Sequence, residues 1–173
     1  GQERLAQLAE ALGREDSPLD PLPWEEVRDF FHYCDNYIDA IDRAAEHFAG
    51  QLGPGDRRAA LGDWLADRHG ITLATVSGPE TRLRHYDPAT RRLTLSAVAA
   101  PATQTFQILH QIAWLEHDDL MEVTLDLARF RNEAARAICK TGLANYFAGA
   151  ALLPYGRFLA AAHDIRHDLE LLA

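Results

Sequence analysis

A chain of 173 residues, 47% hydrophobic and 25% charged, has the length and balance of one packed globular domain with an accessory segment. No apolar run reaches bilayer length and the first residues are polar, so the sequence predicts a cytoplasmic protein with neither membrane span nor signal peptide. The formal net charge of −9 excludes a broad phosphate-gripping face on these residues, because such a face needs clustered Lys and Arg. Any DNA-reading module would lie elsewhere in a longer protein.

Residues 1–23 read as a linker. Leu5, Leu8 and Leu12 mark a short amphipathic helix from Arg4 to Leu12, Gly13 ends it, and Pro18, Pro21 and Pro23 interrupt any continuation. Residues 24–55 read as a helical connector: Pro23 and the carboxylates Glu25 and Glu26 open a long helix predicted to run to about Ala49. Its apolar stripe (Val27, Phe30, Phe31, Cys34, Tyr37, Ile38, Ile41, Ala45) is too wide to leave in water. Contact with a second copy and plain core packing account for it equally well.

Residues 56–173 form the expected main domain. Asp56 to Gly70 is a helix with Leu61, Trp64 and Leu65 inward, and the period then switches to alternation in the strand Ile71–Val76. Thr81–Tyr86 and Arg91–Leu95 pair as a hairpin across Asp87-Pro88-Ala89-Thr90, which predicts a three-stranded antiparallel sheet. Alternation puts Arg82, Arg84 and Arg92 on one face and Leu83, Leu93 and Leu95 on the other. That Arg face is either solvated or an anion site.

Pro101 and a capping Thr103 open a helix predicted to reach His117. A further helix covers Leu120–Leu127, an Ala-rich one follows from Asn132 to Gly149, and Pro154 precedes two short helical patterns, Tyr155–Ala162 and His163–Ala173. The last pattern has no cap, which predicts a piece of a longer protein. The two cysteines, Cys34 and Cys139, fit no Cys-x-x-Cys site and read as reduced thiols.

The segment Phe106 to Trp114 has the frame of a zinc-protease helix without its chemistry. His-Glu-x-x-His places two metal ligands and a general base on one helical face. Here His110 is present, but Gln111 replaces the base and Trp114 the second ligand. An amide takes no proton at neutral pH, and an indole is a donor only. No metal site and no catalytic residue are therefore expected.

On these residues the chain resembles the bacterial regulators of short-chain fatty acid metabolism of the PrpR, RamB and MccR type. Pro23–Ala49, with Glu25-Glu26-Val27-Arg28-Asp29-Phe30, is similar to the segment after their helix-turn-helix module. Phe106–Trp114 and Leu143–Pro154, with the block Ala144-Asn145-Tyr146-Phe147-Ala148, resemble the two signature blocks of the ImmA/IrrE metallopeptidase-like domain. Active members of that superfamily keep an acidic third ligand just ahead of the second block, where this chain has Thr141-Gly142-Leu143.

The resemblance implies an N-terminal DNA-binding module and a C-terminal cysteine-containing region outside this chain. It also implies sensing of short-chain acyl-coenzyme A to switch acetate, propionate or glyoxylate genes. The expected fold is α+β: a small three-stranded antiparallel sheet, helices on one face, and a long helix before it. The expected function is a non-catalytic sensing and homodimerising domain with acyl-coenzyme A as effector and no resident cofactor. Candidate ligand residues are Arg82, Arg84, Tyr86, Phe106, His110, Gln111, Trp114 and Tyr146, with Lys140, Arg91 and Arg92 as further cations for phosphates. Two alternatives remain: a structural dimerisation module with its ligand site in a C-terminal region, and a zinc peptidase, which Gln111 and Trp114 disfavour.

Overall fold

Pro23 starts the first described helix as expected, with the Glu25 carboxylate accepting the Leu22 amide at 3.0 Å. The structure, a computed structural model, describes residues 21–78 and 82–152. In chain order these hold α1 (Pro23–Tyr33), α2 (Asp39–Leu52), α3 (Arg57–His69), β1 (Thr72–Val76), β2 (Arg84–Asp87), β3 (Arg92–Ser96), α4 (Pro101–Glu116), α5 (Asp118–Ala128) and α6 (Glu133–Leu152). The helices expected over 4–12 and beyond Pro154 lie outside the described residues.

The single long helix expected over 24–49 is two helices. Asp35 and Asn36 adopt φ of 52° and 58°, the left-handed region that Asp and Asn tolerate better than other side chains. The chain reverses there through Asn36 N–H to Phe31 O (2.8 Å) and Tyr37 N–H to Cys34 O (2.9 Å). Ile38 N–H then donates to the Tyr146 hydroxyl of α6 at 3.0 Å. The break lets Val27 and Phe31 of α1 and Ile41, Ala45 and Phe48 of α2 all reach the core, and each large side chain so buried contributes about 2 kcal/mol.

Asp56 caps α3 by accepting from Arg58 N (3.0 Å), and Gly70, at φ 63°, ends it in the left-handed turn a side chain would strain. The sheet order is β1-β3-β2, with β1 parallel to β3 and β2 antiparallel to it. This corrects the all-antiparallel expectation. Leu93 and Leu95, both fully buried, belong to β3, and the central position bonds that strand on both edges while the more exposed β1 and β2 take the margins.

Register also corrects the face of one arginine. Arg84 lies directly opposite Leu95 and Tyr86 opposite Leu93, and residues paired across an antiparallel ladder share a face. Arg84 therefore points with the leucines toward α4, away from the solvent side where alternation within its own strand had placed it. A one-residue shift in the pairing is enough to exchange faces. Arg82 precedes the strand and is exposed, as is Leu83.

The backbone cap of α4 is Ala100 rather than Thr103. Gln104 ties this end down, its Nε2 donating to Ser96 O and Ala99 O at 3.1 Å each and its Oε1 accepting from Arg58. The hub of the fold is α6, which packs on α1, α2, α4 and α5. Gly142, Leu143, Ala144 and every residue from Tyr146 to Ala151 are buried, a helix apolar nearly all round. Arg57 closes its end, donating to Ala151 O (2.7 Å) and Leu152 O (2.8 Å), where a cation also meets the negative pole of the helix. Cys139 is fully buried within α6 and Cys34 half-buried at the end of α1. No helix among the described residues is long and apolar enough to cross a membrane.

Candidate functional site

Helical spacing puts Gln107, His110, Gln111 and Trp114 on neighbouring positions of α4, where β2 and α6 approach them. His110 is almost fully buried. Its Nε2 accepts the Trp114 indole N–H at 2.9 Å, and its Nδ1 lies 2.7 Å from Asn145 Oδ1 on α6. An indole only donates, so Nε2 carries a lone pair, and Nδ1 then bears the proton it gives to Asn145. The ring is neutral. Burial first, and the Arg84 charge second, push its pKa down to about 4.

Arg84 reaches across from β2, its Nη1 donating to Gln111 Oε1 at 2.6 Å and its Nε to Gln107 Oε1 at 3.2 Å. Burial pulls its pKa down. Both partners are neutral amides, and among the described residues no carboxylate pairs with it. A half-buried guanidinium whose partners are neutral amides keeps its full charge, and its planar fork suits phosphate or carboxylate.

The residues do not fit a zinc ion. Metal binding needs a free imidazole lone pair and two or three further ligands converging on it. Trp114 occupies the Nε2 lone pair and Asn145 takes the Nδ1 proton, so His110 has no atom to offer. Among the described residues no three His, Cys, Asp or Glu side chains are grouped to hold a metal.

Of the residues expected from the sequence, the structure gathers Arg84, His110, Gln111 and Trp114. Tyr86 follows Arg84 on the same face of β2, and Phe106, half-buried on α4, packs against the core. Tyr146 is completely buried with its hydroxyl on the Ile38 amide, and Arg82 is exposed outside the cluster. Lys140 is engaged elsewhere: its Nζ lies 2.5 Å from Asp118 and 2.6 Å from Glu122, and 4.9 Å from the Trp114 ring centre. Gln107 and Asn145 were not among the candidate ligand residues, although Asn145 stands in the second signature block. A lone amide in an Ala-rich helix was the available signal for Asn145, since a buried amide needs a partner.

Away from this cluster, a concavity of about 520 Å³ lies between α1 and the α5–α6 connection, lined by Glu26, Asp29, Phe30, Tyr33, Leu127, Ala128, Arg129 and Phe130. Tyr33 is 87% and Leu127 77% exposed, uncommonly open for such side chains.

Comparison with known proteins accords with the geometry. The family description of the IrrE N-terminal-like domain (Peptidase_M78) matches residues 66–173. The chain is 57% identical over 171 residues to a propionyl-CoA carboxylase regulator of Cereibacter sphaeroides, covering 99% of this chain and 36% of that protein. It is 39% identical over 158 residues to the HTH-type transcriptional regulator PrpR of Mycobacterium tuberculosis, covering 90% of this chain and 32% of the relative. With RamB of the same organism the figures are 37% over 155 residues, 88% and 33%. A solved Mycobacterium tuberculosis transcriptional regulator superposes with a TM-score of 0.73 at 39% identity, covering 88% of this chain and 47% of that one. The chain thus spans about a third of the length of these curated relatives. The match over most of its length, together with the fold, makes this chain a member of the IrrE N-terminal-like domain family.

Proposed function

We propose that this chain is the non-catalytic sensing domain of a transcriptional regulator of propionate or acetate metabolism, and that its effector is a short-chain acyl-coenzyme A. The observation that carries the reading is Arg84, a half-buried cation held by two amide oxygens beside a disabled metal motif. An incoming phosphate or carboxylate would supply a counter-anion, with charge-assisted bonds stronger than the amide contacts it replaces. Leu83 and Val98, exposed at the end of the sheet where Ser96 N–H meets Leu83 O, offer apolar surface for an acyl or pantetheine chain. The names of the relatives, regulators including one of a propionyl-CoA carboxylase, support the same assignment. DNA contact then belongs to another part of the full-length protein.

The regulator also self-associates, in this reading, through the concavity beside α1. That surface carries Asp29 and Arg129 around an apolar floor, so a two-fold copy can set each acid against the other's base. Native mass spectrometry with acetyl-, propionyl- and free coenzyme A tests both parts together. The expected result is a metal-free dimer that gains one acyl-coenzyme A per chain and loses that gain in Arg84→Ala. A dimer indifferent to every ligand would overturn the sensing role, and zinc at one per chain would return the peptidase reading.

A further inference from the structure

Two consecutive residues of α6 face two different parts of the molecule. Successive side chains on a helix are turned about 100° from each other, so Asn145 meets α4 while Tyr146 meets the joint between α1 and α2. Asn145 Oδ1 takes the His110 Nδ1 proton at 2.7 Å, and the Tyr146 hydroxyl takes the Ile38 amide at 3.0 Å. The joint it holds is under local strain: Asp35 and Asn36 are both left-handed, and Asn36 Oδ1 is buried with no hydrogen-bond partner among the described residues. Carrying two left-handed residues and that buried amide oxygen, such a segment is the kind of element that opens before the core does. Around the two residues α6 is built from Gly142, Ala144, Ala148, Gly149 and Ala150, small side chains that let a helix turn or slide by an ångström or two against its neighbours.

We propose that Asn145 and Tyr146 couple the His110–Arg84 cluster to the α1–α2 joint, so that a change at the cluster alters the hold on Ile38 and with it the set of α1. The joint lies far in sequence from both partners, and α1 is the first described helix, so the coupling carries the state of the cluster toward the N-terminal part of the chain. A rotation of α6 that slackens the Asn145–His110 bond also moves the Tyr146 hydroxyl away from Ile38. The coupling itself is a property of the fold; that an acyl-coenzyme A drives it rests on the reading of the site above.

Amide hydrogen exchange on the chain tests the coupling without any ligand. Asn145→Ala is expected to speed exchange of the Ile38 amide roughly tenfold, within the range of ordinary intramolecular coupling, although Asn145 does not touch Ile38. The Leu61 and Leu65 amides of α3 stay at wild-type rates, which separates coupling from general loosening. Tyr146→Phe speeds Ile38 exchange on its own, and adding Asn145→Ala to it produces no further change. Unchanged Ile38 exchange in Asn145→Ala, or effects of the two substitutions that simply multiply, would overturn the proposal. A parallel arm adds propionyl-coenzyme A to the wild-type chain and expects a change at Ile38 and α1. Absence of a complex by native mass spectrometry counts against the ligand, while the ligand-free arm still decides the coupling. A complex that leaves Ile38 and α1 untouched counts against the proposal.

Discussion

Cations stand on two sides of the His110–Trp114 pair, and they differ in what answers their charge. On the α5–α6 side, Lys140 sits between Asp118 and Glu122, and Arg136 is bonded to Glu122 and, at 2.9 Å, to Asp126. Those ammonium and guanidinium groups are paired with carboxylates. On the β2–α4 side, Arg84 has, among the described residues, only the amide oxygens of Gln107 and Gln111, and the neighbouring imidazole is neutral. Sign of charge alone would have offered Arg84 and Lys140 equally as phosphate binders. The local balance separates them: a cation already paired gains little from a new anion, whereas a half-buried unpaired one gains much.

The largest effect expected from this contrast is on the pH dependence of stability. His110 titrates near 6.5 when unfolded and at about 4 in the fold, so its contribution is complete above about pH 6.5 and is lost as pH falls toward 4. Over that window the loss is about 3 kcal/mol, because the unfolded chain takes up a proton that the folded chain refuses. Urea unfolding of the wild-type chain and His110→Gln from pH 7 to pH 4 would reveal it as a difference between the two curves that narrows with acid. Parallel curves would mean that the imidazole is not held neutral.

Next in size is the ligand term. Arg84→Ala is expected to weaken propionyl-coenzyme A binding by about 2 kcal/mol, some thirtyfold, as for one charge-assisted contact. Titration calorimetry would show it, and equal affinities would remove Arg84 from the site. Trp114→Phe keeps the aromatic bulk but withdraws the N–H from His110 Nε2, leaving a buried acceptor bare at a cost of about 1–2 kcal/mol at pH 7. It should also raise the pKa of His110, which proton NMR of the imidazole reads directly. The smallest effect belongs to the paired side: Lys140→Met should lower stability by about 1 kcal/mol and leave acyl-coenzyme A affinity unchanged. A loss of affinity there matching that of Arg84→Ala would erase the distinction between the two clusters.

How much could be read in advance follows the range of the interactions involved. The helix between Asp56 and Gly70 and the hairpin turn were visible because each depends on residues close in sequence. That Gln111 and Trp114 stand at the positions of the base and second ligand of a zinc-protease helix could be read for the same reason, as spacing on a single helix sets it. The break at Asp35-Asn36 was obscured by an apolar stripe that runs through it, and two residues tolerant of left-handed backbone were the faint sign. Arg84 was named as a ligand residue on the wrong face, because alternation within β2 says nothing about which residue of β3 stands opposite.

By itself, then, the sequence determined most of the helices and the α+β composition, both consequences of local chemistry and period. Tertiary structure alone decided the parallel pairing of β1 with β3, the inward turn of Arg84 and the neutral tautomer of His110. It also decided the place of Tyr146 under the α1–α2 joint. These depend on partners 35 residues apart for His110 and Asn145 and 108 apart for Ile38 and Tyr146, and only the packing of α6 against its neighbours brings such residues within reach of a hydrogen bond.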